Sequence, residues 1–238
     1  DPASWFAVHL VAHAVRAAPE LRQRLAAGAA AGGRDSVLTV AFRLVAPLGR
    51  AYRSGQHASA GASLCAALRL VAEWCDACPD AVRAVVGSPA TLPELIALLE
   101  APVADAAAAV HVRGLAALAL GTCLLELAGA RGGGGDPGGP LDSAGLMQQI
   151  ASRVGVDAFT RAGEALQGAL AGARGGAAAD GGVQRYDPAF ASFAAGQFRQ
   201  VQDTMVKLWL AQGTALQGMA ADVAEHFKDG IPSLHLVP

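Results

Sequence analysis

Apolar side chains recur every three or four residues along most of the chain, a spacing that predicts α-helices. The line is longest near the C-terminus, where ten steps cover the 37 positions from Phe190 to Phe227. This mean spacing of 3.7 residues exceeds the 3.5 of a left-handed coiled coil. We therefore expect the helix to pack on the rest of the protein. The line comprises Phe190, Ala194, Phe198, Val201, Met205, Leu208, Gln212, Leu216, Met219, Val223 and Phe227.

Trp209 lies beside this apolar line. Large aromatic side chains are buried on average, so we expect Trp209 to belong to the core. The alternative is that Trp209 anchors a contact with another molecule.

The same spacing, with capping and breaking residues, predicts helices along the rest of the chain. We expect Thr91 to cap one of them and Pro47 to bend another. The predicted helices lie near residues 2–15, 19–28, 36–55, 62–78, 80–87, 91–100, 110–129, 141–153, 157–170 and 187–228.

The segment VHVRGLAALALGTCLLELAG, residues 110–129, is apolar enough to raise the question of a membrane span. A spanning helix needs about 20 apolar residues with few or no charges. Arg113 and Glu126 bracket only the twelve residues from Gly114 to Leu125. We therefore predict the buried helix of a soluble protein, in which the two glycines Gly114 and Gly121 face a close neighbouring helix.

Glycine-rich stretches divide the chain into predicted parts. Residues 1–130 are expected to form armadillo-like helical repeats, and RGGGGDPGGP at 131–140 is a linker. Residues 141–228 carry the C-terminal helices, with a loop near 172–186, and 229–238 form an irregular tail.

An internal repeat supports a stack of helices. LVAHAVRAAPELRQRL, from Leu10, aligns with LVAEWCDACPDAVRAV, from Leu70, at an offset of 60 residues. This offset exceeds the roughly 40 to 47 residues of armadillo and HEAT units, so we expect an extra helix or loop between the copies. Helical units that bury each other's apolar faces form an α-solenoid. The alternative is two unrelated helices that share an alanine-rich composition.

Composition narrows the class of protein. The chain is 53% hydrophobic but only 5% aromatic, so alanine and leucine supply most apolar positions and favour an all-α fold. The net charge of −2 provides no general attraction for nucleic acid or anionic lipid. The chain begins at Asp1 rather than Met, and we expect it to be part of a longer protein.

Four cysteines are too few for a disulfide scaffold of this size, which fits a reducing compartment. Cys75 and Cys78 form a CxxC, but it closes a helix and precedes Pro79, whereas a redox CxxC opens one. Zinc would need two more ligands, and Cys65 and Cys123 have no ligand spacing. We expect all four to be structural.

The histidines and the known catalytic motifs give little indication of an active site or a metal site. His9 and His13 share a helix face but lack the glutamate of HExxH, and His111 is expected to lie on a helix face. No nucleophile elbow or phosphate-binding loop is present. We therefore predict no enzyme, no catalytic or metal residues and no cofactor, and we assign no partner-binding residues.

Five segments, in chain order, carry residues that match the motifs of one protein family. The matching positions are Trp5 and His13; Trp74, Cys78, Pro79 and Val82; Gly114, Leu115, Leu118 and Gly121; Ile150, Arg153, Gly155 and Phe159; and Asp187 and Phe190. LRLVAEWCDACPDAV, for example, is similar to a family segment that ends Cys-Pro-x-Ala-Val. From Ser4 to about Leu210, the chain thus resembles the globular head of the general vesicular transport factor family, the Uso-type Golgi tethers.

This resemblance implies an armadillo/HEAT-like α-solenoid head that docks vesicles at Golgi membranes without catalysis. It implies Rab-type GTPases, SNARE-related factors and golgins as partners, a homodimeric parent, and a cytoplasmic location peripheral to Golgi membranes. The glycine-rich linkers and the tail after Lys228 depart from the family pattern. A generic α-solenoid adaptor is the alternative, and a metal or redox enzyme is the third.

Overall fold

A computed structural model describes scattered residues between 11 and 24 and the ranges 37–55, 60–100, 106–129, 141–174 and 186–229, with side chains as far as Ala211. Within this part the chain contains helices and no strands, so the all-α prediction is confirmed there. The helices are α1 (Val37–Arg53), α2 (Ala60–Cys75), α3 (Pro79–Val86), α4 (Thr91–Glu100), α5 (Ala106–Leu127), α6 (Ser143–Arg153), α7 (Val156–Arg174) and α8 (Pro188–Asp229).

The observed bounds follow the predicted pattern closely in the C-terminal half. Three helices were expected at 141–153, 157–170 and 187–228, and α6, α7 and α8 occupy these positions. α7 runs on to Arg174, slightly into the expected loop. The linker at 131–140, the tail at 229–238 beyond the end of α8, and most of the first repeat copy lie outside the described residues.

The predicted cap of α4 is wrong. Thr91 is the first residue of the helix, and the Ser88 hydroxyl accepts hydrogen bonds from the Thr91 and Ala90 backbone N–H groups at 3.1 and 3.4 Å. Thr91 instead donates its own hydroxyl to the Phe42 carbonyl oxygen of α1, at 3.4 Å. Pro47 lies inside α1, which continues past it to Arg53.

Helix α5 lies at the centre of the described helices and contacts α2, α3, α4, α6, α7 and α8. Leu115, Leu118 and Leu124 are fully buried, so the prediction of a core helix is confirmed. Its segment Ala108–Leu127 is long and apolar enough to cross a membrane, yet 83% of its most apolar window is buried by the other helices. Among the other described helices, only α3 and α4 taken together are long and apolar enough to cross a membrane, and this pair is bent by 73°.

Two glycines allow neighbouring helices to approach α5. A Cβ at Gly114 would collide with Leu166 of α7 and lie 3.0 Å from the Ala162 carbonyl oxygen. A Cβ at Gly121 would lie 2.8 Å from the Val201 Cγ2 atom of α8. The prediction that both glycines face a close neighbour is therefore confirmed, with a different helix at each position.

Two local features set where α6 begins and where it gives way to α7. The Asp142 carboxylate begins α6 by accepting a hydrogen bond from the Gly145 N–H at 2.7 Å. At the other end, Gly155 adopts a φ of 84°, a left-handed conformation that glycine tolerates well. The Gly155 N–H bonds to the Ile150 carbonyl oxygen, and α7 begins at the next residue.

Candidate protein-binding groove

An open groove of about 640 Å³ lies where α6, α7 and α8 meet. Its wall is mostly apolar, and each of the three helices contributes to it. The lining residues are Met147 from α6; Val156, Asp157 and Thr160 from α7; and Gln202, Met205, Val206, Trp209 and Leu210 from α8.

Three large apolar side chains of α8 form an exposed patch at this groove. Val206 and Trp209 are each 59% exposed, and Leu210 is 64% exposed. Their spacing of three and four residues places them on one face of the helix. The expectation that Trp209 belongs to the core is therefore wrong, and the alternative of a contact position fits the observed exposure.

The exposed patch begins where the packing of α8 ends. Phe190, Ala194, Phe198, Val201 and Met205 are all buried, as the periodic line predicted, and Leu208 is half-buried. From Gln212 onward the predicted line lies outside the described side chains. Val206, Trp209 and Leu210 lie beside this line and close to its last buried residue, so the neighbouring helices cover them only in part.

The groove carries one charge among the described residues that line it. Asp157 lies in the first turn of α7, where the positive end of the helix dipole favours a carboxylate. Its side chain is exposed rather than buried. Thr160 and Gln202 supply the remaining polar side chains of the lining. The site can therefore bury apolar groups and place a positive charge beside Asp157.

A buried ion-pair cluster holds the start of α8 against α2. The Arg69 guanidinium, 4% exposed, donates to Glu73 at 3.2 Å and to Asp187 at 2.5 Å. It also lies 4.5 Å from the centre of the Phe190 ring, a cation–π contact. Asp187 in turn accepts a hydrogen bond from the Phe190 N–H at 2.8 Å and so caps α8. The cluster positions the helix that carries the groove.

Titratable groups next to this cluster are held in their neutral forms. Burial raises the pKa of the Cys65 thiol, which lies beside Tyr186, to about 12. Burial, and then the neighbouring Cys65, raises the pKa of the Tyr186 hydroxyl. Burial also lowers the pKa of His111, whose ring centroid lies 5.5 Å from that of Tyr186. Neither the thiol nor the phenol is activated as a nucleophile by these shifts.

The CxxC, from Cys75 to Cys78, forms the turn between α2 and α3, and hydrogen bonds with other helices hold this turn in place. Ala77 has a φ of 51°, and its N–H donates to the Glu126 carboxylate of α5 at 3.0 Å. The Gln197 amide of α8 donates to Asp76 at 2.7 Å. Burial and the nearby Cys123 thiol raise the pKa of Cys75 well above its ordinary value. The turn between α2 and α3 is therefore tied to both α5 and α8.

The structure brings together residues that the sequence did not connect. Cys123 has no zinc-ligand spacing to the CxxC in the sequence, yet in the structure its thiol lies against Cys75. Across the described ranges, no group of three or more histidine, cysteine or acidic side chains is arranged to hold a metal ion. His9 and His13 lie outside those ranges. One feature of the sequence pointed to the groove: Trp209 lies beside the apolar line of α8.

A second cleft, of about 550 Å³, lies at the surface where α4, α5 and α7 meet and is lined by Arg113, Arg161 and apolar residues.

Comparison of the chain with protein-family models, with curated proteins and with solved structures finds no match.

Proposed function

We propose that this chain is a non-catalytic, protein-binding scaffold, the head region of a factor that tethers vesicles in ER-to-Golgi and intra-Golgi transport. The observation that carries the binding role is the exposed groove at Trp209. Monomeric soluble proteins seldom leave large contiguous apolar patches in water, and such patches mark interaction sites. Three neighbouring side chains of α8, each more than half exposed, are such a patch.

We further propose an armadillo/HEAT-like arrangement of the helices. Helices α2, α5 and α7 begin at residues 60, 106 and 156, spacings of 46 and 50 residues. Armadillo and HEAT units span about 40 to 47 residues, so the first spacing lies within this range and the second is slightly longer. The α2–α5 and α5–α7 pairs are the most extensive helix contacts, and α2 makes no comparable contact with α7. This order of contacts is what a stack of successive units requires.

The tethering role rests on the resemblance of five ordered segments to the general vesicular transport factor family. It implies Rab-type GTPases, SNARE-related factors and golgins as partners, with peripheral attachment to Golgi membranes through them. The positions that carry the resemblance at the start of α8, Asp187 and Phe190, belong to the ion-pair cluster that holds this helix. The helix that the cluster fixes is the one that presents Trp209.

A competition experiment tests this function. The 238-residue chain is added to permeabilised cells, and the arrival of cargo at the Golgi is measured. The wild-type chain should inhibit transport by occupying tether partners, and Trp209→Glu should inhibit much less. Ala84→Glu, an exposed position on α3, is the matched control and should inhibit like the wild type. Equal transport with and without excess chain would contradict the tethering role.

The competing function, a generic helical adaptor unrelated to tethering, gives a different result in the same experiment. Such an adaptor would bind a partner through the groove and leave cargo transport unchanged. Binding of the purified chain to a Rab-type GTPase, a SNARE bundle and a golgin coiled coil, measured by calorimetry, separates the two further. The tether should bind at least one of them, whereas the adaptor should bind none.

A further inference from the structure

We infer that the groove between α6, α7 and α8 receives an amphipathic helix of a partner protein, with the partner's apolar stripe on Trp209 and a basic residue beside Asp157. This inference rests on the proposed binding function and names the chemistry of what binds.

The shape of the groove favours a helix over a small molecule. Small-ligand sites enclose about 70 to 90% of their ligand. Here the largest lining side chain, Trp209, is itself 59% exposed, and Leu210 beside it is 64% exposed. Such a wall is open to solvent and would leave much of a small molecule uncovered. The described part of the chain also has no strand whose edge could pair with an extended peptide.

The length of the apolar wall matches two turns of a helix. The α8 residues that line the groove run from Gln202 to Leu210, eight steps of about 1.5 Å each, or roughly 12 Å. A partner helix laid along this wall would present anchors at positions i, i+3 or i+4, and i+7. Met147 and Met205 lie in the wall, and methionine side chains adapt to differently shaped anchors.

The negative charge at the groove wall favours a basic residue on the polar face of the partner helix. Asp157 is the one charged residue among the described residues that line the groove, and exposed Asp203 of α8 lies outside the lining. The basic residue at the end of α6, Arg153, pairs with Glu100 of α4 at 3.4 Å, and exposed Lys207 of α8 does not line the groove. A lysine or arginine on the partner helix would therefore meet a carboxylate at the groove wall.

Selection from a peptide library tests the inference. Peptides of about 18 residues display a fixed apolar helical stripe and a randomised polar face, long enough to form helix on binding. They are selected on the 238-residue chain and counter-selected on Trp209→Glu. We expect selected peptides to carry lysine or arginine at one recurrent position. A synthetic representative should bind the wild type at least about tenfold more tightly than Trp209→Glu, whereas Ala84→Glu should bind like the wild type.

A charge swap tests the pairing with Asp157. Replacing the recurrent basic residue by glutamate should weaken binding to the wild type, and Asp157→Lys should restore binding of the glutamate peptide. Equal binding of both peptides to the wild type would overturn the charge assignment, and a library without enriched sequences would overturn the helical occupant. Circular dichroism should first show that Trp209→Glu melts within about 3 °C of the wild type, as expected for an exposed position. Asp157→Lys reverses a favourable charge in the first turn of α7, so it should remain folded with a melting temperature lowered by less than about 8 °C.

Other occupants give distinct results. If a second copy fills the groove, sedimentation will show a dimer that Trp209→Glu dissociates. If a segment of the same chain covers it, acrylamide will fail to quench Trp209 in the Trp5→Phe variant, where Trp74 is the buried reference. Either result overturns the inference. If the library yields no enriched peptide but the chain inhibits transport through Trp209, the helical ligand is rejected and the tethering role stands. If a basic peptide is selected but the chain does not inhibit transport, the tethering role is rejected and the helical ligand stands.

Discussion

Substitution of Gly121 by alanine tests how closely α8 is packed on the central helix. The added Cβ would lie 2.8 Å from Val201 Cγ2 and 3.3 Å from Cγ1, closer than ordinary van der Waals contact. Val201 is 1% exposed, and its branched side chain has few alternative rotamers. The neighbouring helix must therefore shift, or Val201 must leave its preferred conformation.

Two effects of opposite sign determine the magnitude. Replacing glycine by alanine inside a helix stabilises by about 0.5 to 1 kcal/mol. Overpacking a well-filled core costs about 1 to 3 kcal/mol. We expect Gly121→Ala to lower the free energy of unfolding by roughly 0 to 2.5 kcal/mol. Gly121→Leu brings a larger side chain to the same place and should destabilise by about 1 to 3 kcal/mol.

Urea denaturation followed by circular dichroism measures these changes, and Gly168→Ala is the matched control. Gly168 lies inside α7, is exposed, and has open space where its Cβ would be. The control should gain about 0.5 to 1 kcal/mol. Val201→Ala should relieve the collision, with a favourable coupling of about 0.5 to 3 kcal/mol to Gly121→Ala. If Gly121→Ala stabilises as much as Gly168→Ala does, the contact between α5 and α8 is not as described.

Three further predictions concern the buried polar groups. Asp187→Asn keeps a capping side chain but removes the charge opposite Arg69, and should destabilise by about 1 to 3 kcal/mol in urea denaturation; no change would mean that the ion pair contributes nothing. Because burial lowers the pKa of His111, the unfolded state binds more protons, so stability should fall as pH decreases through 6.5 until the folded form also titrates. His111→Gln should remove this part of the pH dependence of the melting temperature, and an unchanged profile would refute it. The four buried cysteines should react with a thiol reagent at pH 8 only as fast as the protein unfolds, because burial raises the pKa values of Cys65 and Cys75; rapid reaction of the native protein would contradict this.

The helices could be predicted from the sequence where the local pattern of apolar residues determined them. The segment 110–129 is apolar on every side, and a helix of that kind is stable only when other helices surround it. The buried side of α8 followed from the spacing of Phe190 to Met205. Both predictions depend on local periodicity, which a single sequence records directly.

Other features depend on contacts between distant segments. Arg69 and Asp187 are 118 residues apart, and nothing in their spacing links them. Trp209 was misplaced because periodicity identifies the buried face of a helix but not where the neighbouring helices stop covering it. Ser88 and Thr91 are both suitable caps three residues apart, and only the position of α1, which receives the Thr91 hydroxyl, separates them.

Site-specific photo-crosslinking from position 209 in cells tests the central claim most directly. A benzophenone amino acid replaces Trp209, and the same residue at Ala84 of α3 serves as the control. We expect crosslinks at 209, absent at 84, to a Rab-type GTPase, a SNARE-related factor or a golgin, through a helical segment that contains a basic residue. Crosslinks at 209 that match those at 84, or that join only copies of this chain, would contradict it.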